Sequence, residues 1–324
     1  MKTRIILFAL IGITISAQAA NLWRVTSDKS LKPHFSNLQH AIDSCGVGDT
    51  IYVYPGNYGT VEVKKKLNIF GVGYFIAENA KDTLTSFVST SHLDNITFSA
   101  GSDFSLISGL EVGSGINCNS ANNITISGNK YGGISLTNSN YMIIKKNYGG
   151  GINGVNCLNT MISNNIMGGI NFDISSNVFV QNNFMNAKIS VYNSTLVNNI
   201  DVYNCNVYYD NYGHTYLDSH SLINSTIQYN ISLNALFGTI NGNFQVSPNL
   251  IFSSPIIADN YQLTVNSAAK GAGLGGVDCG PFGGDDPYCV SGLNYIPTIA
   301  YMKNPVIVKG SDGLSVRVVV RANR

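Results

Sequence analysis

One feature limits what this chain can fold into more than any other: from about residue 116 to 186 it repeats with a period of 18, so that "ITISGNKYGG" is answered one period later by "MIIKKNYGGG". In rows of that length, Ile116, Ile134, Ile152 and Ile170 share one column, and Ile126, Ile144, Ile162 and Val180 share another. Asn129, Asn147, Asn165 and Asn183 form a third, and the pairs Gly132/Gly133, Gly150/Gly151 and Gly168/Gly169 form a fourth. A unit this small cannot bury its apolar face alone and must stack on its own copies. Within each row, short alternations such as "NITIS" and "NVFVQNN", bounded by Asn, Ser and Gly, read as strands of three or four residues. The density of Gly and Asn opposes helix. Rows stacked in register at about 4.8 Å predict an all-β fold, a single-stranded parallel β-helix.

The same geometry predicts that the Asn column is a ladder. Each amide would bond to the copies above and below, at a corner where asparagine tolerates left-handed backbone. The Gly pairs read as tight corners or points of close backbone approach. They are not a phosphate loop, because no strand-to-helix context with Lys-Ser or Lys-Thr accompanies them.

The flanks are less regular. Phe35, Leu38, Ala41, Ile42 and Cys45 follow helical spacing and predict a short N-terminal helix capping the open end of the stack; "GVGDT" then ends the helix and "IYVYPGNYG" begins the first strand. After Asn183 the period shortens to 16, reaching Asn199, and the rows become irregular. "IPTIAYMKNPVIVKG" and "LSVRVVVRANR", joined through "GSDG", predict a C-terminal antiparallel β-hairpin. The first residues carry Lys2 and Arg4, an apolar run, and small Ala17 and Ala19, the pattern of a cleaved signal. The expected organisation is therefore a signal peptide over 1–19, a capped β-helix over 20–290 and a hairpin tail over 291–324. The apolar run is short against the roughly 20 residues a spanning helix needs, so the chain is expected to be exported, secreted or at the cell surface, without a membrane anchor.

Charge excludes one class of partner. The chain has 19 Lys and Arg against 18 Asp and Glu, and losing Lys2 and Arg4 leaves 17 against 18. Nothing in that balance gathers nucleic acid or an acidic membrane. Of six cysteines, Cys279 and Cys289 in "DCGPFGGDDPYC" close a short Gly- and Pro-rich loop, and a disulfide is expected there in an exported protein. In the same loop Asp278, Asp285 and Asp286 are candidate Ca²⁺ ligands, against the reading of a plain acidic turn; no other cofactor is indicated.

"NLQHAIDSCGVGDTIYVYPGNYG" resembles the opening of right-handed parallel β-helix proteins of the pectin-lyase-like superfamily, and "SAAKGAGLGGVDCGPFGG" resembles the closing segment of many of them. The arrangement as a whole is similar to exported β-helix proteins of the Bacteroidetes type. The resemblance implies the fold and a right-handed coil, and it spans about 35 to 285. It does not select a function, since that superfamily holds polysaccharide lyases, glycoside hydrolases, epimerases and adhesins.

The candidate sites lie off the regular rows. Asp201, Asp210, His214 and Asp218 are candidate acid/base residues or metal ligands. They stand among Tyr203, Tyr208, Tyr209, Tyr212, Tyr216 and His220, which could stack on and hydrogen-bond sugar rings; the bland alternative is a solvated loop. Within the rows, Asp173 is a lone carboxylate in a column of Asn119, Thr137 and Val155, too little to divide acid and base roles across a glycosidic bond. Ile143, Met161 and Phe179 should point outward by strand alternation. With Tyr148 and Phe184 in a second apolar column they form a possible partner face, or one covered by a loop or the tail. Three readings follow: an exported protein presenting a face for glycan binding or adhesion, a polysaccharide-active hydrolase or lyase using the 201–220 section, and a structural module whose partner is another surface protein.

Overall fold

The computed structural model describes residues 20–75, 89–201, 220–232, 237–246 and 261–290, and, as backbone alone, 207–209, 215–217, 298–303 and 317–321. Expectations for the signal segment and for Tyr203, Cys205, Asp210, Tyr212, His214 and Asp218 fall outside the described residues.

The rows form a parallel β-helix. One sheet of ten strands runs from Leu22–Val25 through Thr125–Ser127, Ile143–Lys145, Met161–Ser163 and Phe179–Gln181 to Thr226–Gln228, every pairing parallel. A second sheet supplies the other two faces. The long strand Glu111–Asn119 pairs with Lys130–Tyr131 near one end and with Ile134–Thr137 near the other. Successive coils keep those two short strands apart by the Gly pairs. Register follows the 18-residue columns: Ile126 lies opposite Ile144, which lies opposite Ile162, then Val180. All four are fully buried. Ile116, Ile134, Ile152 and Ile170 stack in the same way on the second sheet.

The Asn ladder is present and longer than the repeat suggests. Asn147 donates its backbone N–H and its Nδ2 to Asn165 Oδ1, both at 2.9 Å, while its Nδ2 also donates to Ile144's neighbour in the coil before, the Ile126 carbonyl. The pattern continues through Asn183 and Asn199 to Asn230 and Asn243. Left-handed backbone, however, sits one residue earlier than expected. Gly128, Lys146, Asn164, Asn182 and Asn198 have φ between 53° and 66°, which aims each following Asn inward and leaves the αL side chain itself facing outward.

The capping helix spans Leu38–Ser44, with Asn37 accepting from the His40 N–H and Leu38, Ala41 and Ile42 buried against the first coil. The first strand is Leu22–Val25, ahead of that helix, rather than the later "IYVYPGNYG". It pairs with Thr50–Val53 and is pinned where Asp49 accepts from Trp23 Nε1 at 2.7 Å and from the Asn21 N–H at 2.8 Å. The tail strands Thr298–Lys303 and Arg317–Arg321 pair antiparallel, as the sequence predicts.

Cys279 and Cys289 are not joined by a disulfide. Cys279 is buried and its Sγ–H donates to the Tyr229 carbonyl at 3.4 Å. The short loop gains its rigidity by lying on the solenoid. Among the described residues no helix is long and apolar enough to cross a membrane.

Candidate functional site

Four groups of residues singled out from the sequence have different fates. Asp201 and His220 do come together, at 2.9 Å, but with side chains only 0% and 1% exposed. His220 Nδ1 accepts the Ile189 N–H at 3.2 Å, so the ring proton is on Nε2 and points at Asp201. A histidine that relays protons keeps one nitrogen open to a reacting group; here both are engaged. The ring also lies against Phe237, with centroids 5.3 Å apart. This pair joins the start of the strand Ser221–Ile223 to Ile189–Tyr192, and its burial keeps both Asp201, expected to be catalytic, and His220, expected to contact a ligand, from the surface. Tyr208 and Tyr216 are register partners in the backbone pairing of Val207–Tyr209 with Thr215–Leu217, an antiparallel two-stranded sheet that also contains Tyr209.

The second apolar column is covered. Ile166 and Phe184 are 5% and 4% exposed. Tyr261 lies over Phe184 with ring centroids 4.3 Å apart, and Phe75 meets Tyr148 edge-on at 5.1 Å. Tyr148 and Phe184 therefore belong to a side core and leave the partner face. Ile143, Met161 and Phe179 remain outward, 39%, 39% and 37% exposed.

The cover is the closing segment, residues 261–290, and the αL corner column is what holds it. Asn198 Oδ1 accepts the Leu274 N–H at 2.7 Å; Asn182 Nδ2 donates to the Asp278 carbonyl at 3.0 Å; Asn164 Nδ2 donates to the carbonyls of Pro281 and Gly283. One coil further, Lys145 and Lys146 both pair with Asp286. Beyond them, the Tyr288 and Tyr74 hydroxyls meet at 2.9 Å. The segment thus runs back along the stack, and each coil offers one or two side chains to it. The sequence reading missed this because the outward Asn residues adjoin the ladder Asn and look like part of it.

The same contacts engage two of the three Ca²⁺ candidates. Asp286 faces two ammonium groups, Asp278 Oδ1 accepts the Gly271 N–H at 2.8 Å, and among the described residues no three acidic, His or Cys side chains gather to hold a metal. Burial pushes the Asp286 carboxyl up, but the hydrogen bonds from Lys145 and Lys146 outweigh it and hold the group below the ordinary carboxylate range. A carboxyl whose pKa falls on folding stabilises the fold above its unfolded value, about 3.9 for Asp, and that contribution is lost as pH drops through the lower folded value. Thermal melts at about pH 6 and about pH 3 are expected to differ by less in Asp286→Asn than in the parent chain. An equal difference in both would remove this pair from the stability of the closing segment.

The open groove lies elsewhere, where the period breaks. From Asp173 to Phe179 the corner takes six steps, and from Tyr192 to Thr195, their successors in the next coil, it takes three. Among the described residues, the corner loop of Ile174 and Ser175 therefore has nothing stacked beyond it. Pairing between Ile170–Asp173 and Ile189–Tyr192 stops after Asn171 opposite Ser190. The ladder opens there into a groove of about 320 Å³ lined by Asp173, Ile174, Ser190, Tyr192, Ser221 and Ile223, among others. Ile174 is 77% exposed and has φ of 49°, in a column where Ser120, Asn138 and Asn156 take the same left-handed backbone. For a β-branched residue that conformation costs roughly 1–2 kcal/mol, and an exposed apolar side chain gains little burial in return. Tyr192 and Ile223 stand outward in register, 44% and 54% exposed. Among the described residues, Asp173 is the single carboxylate of the lining. Of these residues only Asp173 drew notice in the sequence; the available signal for the others was an Ile in a corner column of Ser and Asn, just before the period shortens.

No family model matches the chain, and no curated protein matches it. Among solved structures, the pectate lyase Pel9A is similar over 82% of this chain and 96% of its own, at 12% identity and a TM-score of 0.40. A pectin methylesterase from Aspergillus niger is similar over 72% and 92%, at 13% identity and a TM-score of 0.34. A rhamnogalacturonan lyase is similar over 66% and 68%, at 10% identity and a TM-score of 0.28. At these scores the likenesses carry no argument about activity; the parallel β-helix rests on the pairings of the chain itself.

Proposed function

We propose that this is an exported β-helix protein that binds a glycan chain on its outer surface without cleaving it. The observation that carries this reading is the groove at the period break. An exposed tyrosine and two serine hydroxyls stand in register on one strand face, with one carboxylate across the break in pairing and a strained and exposed Ile174 beside it. Tyr192 and Ile223 offer flat apolar surface to a sugar ring, while Asp173, Ser190 and Ser221 offer hydrogen bonds to its hydroxyls. Leading into the groove, Asn117, Ser135, Asn153 and Asn171 form one outward column, paired in turn from coil to coil. They are uncharged and could follow a polymer lying along the stack. Glycosidic hydrolysis needs two carboxyl groups facing each other across the bond, and among the described residues the groove supplies one.

The test is retention on immobilised polysaccharides, neutral and acidic, by the parent chain and by Tyr192→Ala. A stacked aromatic contributes about 0.5–1.5 kcal/mol beyond its area, and with the area lost as well, retention is expected to fall roughly tenfold while the melting temperature stays within a few degrees. Unchanged retention in Tyr192→Ala would remove the groove from the binding surface.

A further inference from the structure

At the corner that leads into the ten-stranded sheet, one column of the coils takes left-handed backbone throughout. Phe104, Asn123, Tyr141, Asn159, Asn177 and Asn193 stand there in turn, with φ between 46° and 62°, each two residues ahead of a strand residue paired from coil to coil. Asparagine suits that conformation because its short polar side chain bonds locally. Phe104 and Tyr141 occupy it with 61% and 57% of their surface exposed, and neither meets another aromatic ring among the described residues. Backbone strain that no internal packing repays gathers at ligand-contacting positions. The two rings are two coils apart, about 9.6 Å at the interstrand spacing.

The column one residue earlier runs through Asp103, Asn122, Asn140 and Leu158. The Asn122 N–H donates to Asp103 Oδ1 at 2.7 Å, the Asn140 N–H to Asn122 Oδ1 at 2.9 Å, and the Leu158 N–H to Asn140 Oδ1 at 2.8 Å. With both amide oxygens taken, the Nδ2 groups of Asn122 and Asn140 remain as donors; among the described residues neither has an acceptor, and both stay open to solvent. Leu158 is 42% exposed and bridged to Ser176, the neighbour of Ser175 in the lining of the groove at the period break.

We propose that this corner is a rail for an extended polysaccharide and that it continues that groove along the stack. Sugar units stack on Phe104 and Tyr141, and hydroxyls of the chain accept from the Nδ2 groups of Asn122 and Asn140. The ring spacing selects an extended polymer. A β-linked chain of the cellulose type turns successive units over and returns the same face every second unit, a repeat close to two coils; a coiled glycan does not keep that period. Charge does not select further. Lys66 and Asp103, one of each sign, stand beside Phe104, and both columns are uncharged from Asn122 to Asn159. The inference takes its ligand class from the proposed function and rests on residues that the groove does not use.

Phe104→Asn and Tyr141→Asn place the column's own residue at each position, so the melting temperature is expected to stay the same or rise while binding falls. On hydroxyethyl cellulose and β-mannan in affinity gels, the double variant is expected to lose about tenfold or more in retention, as expected for two stacked rings. Adding Asn123→Tyr to Phe104→Asn restores two rings at one-coil spacing and is expected not to restore retention. A double variant that binds like the parent, while Tyr192→Ala does not, would overturn this inference and leave the groove standing; a parent that binds neither polymer would overturn both. Full recovery with Asn123→Tyr would remove the spacing that selects the ligand, and a melting temperature several degrees lower in the double variant would make the rings packing residues. A parent dimer in sedimentation that the double variant dissociates would make them a contact between copies. Each of those three results overturns the proposal.

Discussion

Gly150→Ala is expected to be the most damaging single-methyl addition in the regular coils. An ideal Cβ on Gly150 would overlap the Gly132 carbonyl oxygen one coil away, and the obstacle is backbone, so no rotamer change relieves it. Overpacking in a tight interior costs about 1–3 kcal/mol when side chains can shift; with backbone opposing, the loss should reach about 3 kcal/mol or more, on the order of 10 °C in melting temperature. The second glycine of the preceding pair provides the control. A Cβ on Gly133 meets nothing nearer than the Gly151 carbonyl at 3.7 Å, an ordinary contact, and Gly133→Ala should be nearly neutral. The first and second positions of the Gly pairs, which look interchangeable in the repeat, thus serve different ends. If both variants melt together, coil spacing at this corner is looser than the pairings require.

The second large effect is expected at Asn165, the middle of the ladder. Its Oδ1 accepts from the N–H and Nδ2 of Asn147, and its Nδ2 donates to the Ile144 and Ser163 carbonyls and to Asn183 Oδ1. Asn165→Ala strands those partners where no water reaches them. At about 1–3 kcal/mol for each buried group left unsatisfied, the cost should be about 4 kcal/mol or more. In a solenoid, each coil is coupled mainly to its neighbours, so hydrogen exchange should rise first at Asn147 and Asn183 and much less at the N-terminal helix. Asn165→Asp separates shape from bonding. It preserves volume but sets a carboxylate against three acceptors, and it is expected to be damaging at neutral pH and to recover partly when the carboxyl is protonated. A ladder variant with the parent's stability would mean the Asn column is solvated.

The solenoid was legible because stacking imposes identity: Ile on Ile, Asn on Asn, and Gly where backbones meet. What was not legible is what breaks that rule. The αL residues Asn164, Asn182 and Asn198 look like satellites of the ladder, yet they face the other way and hold the closing segment. That contact joins positions about 76 to 141 residues apart, and no periodicity encodes it. The acidic loop suggested a metal because its partners, Lys145 and Lys146, lie far away in the chain. Asp201 suggested catalysis and His220 ligand contact because composition does not tell that the two bury each other. The groove at Tyr192 arises from three missing corner residues, and a deletion leaves only an absent row to notice.

The central claim is that this surface holds a glycan chain and leaves it intact, and product analysis of a bound polysaccharide tests it most directly. Polymers retained by the parent chain should be eluted after prolonged incubation and their length distribution, new reducing ends and unsaturated uronate absorbance measured. The account expects retention that depends on Tyr192, with no shortening, no new reducing ends and no unsaturated product. Chain shortening that disappears in Asp173→Asn would contradict it and make the groove a catalytic centre.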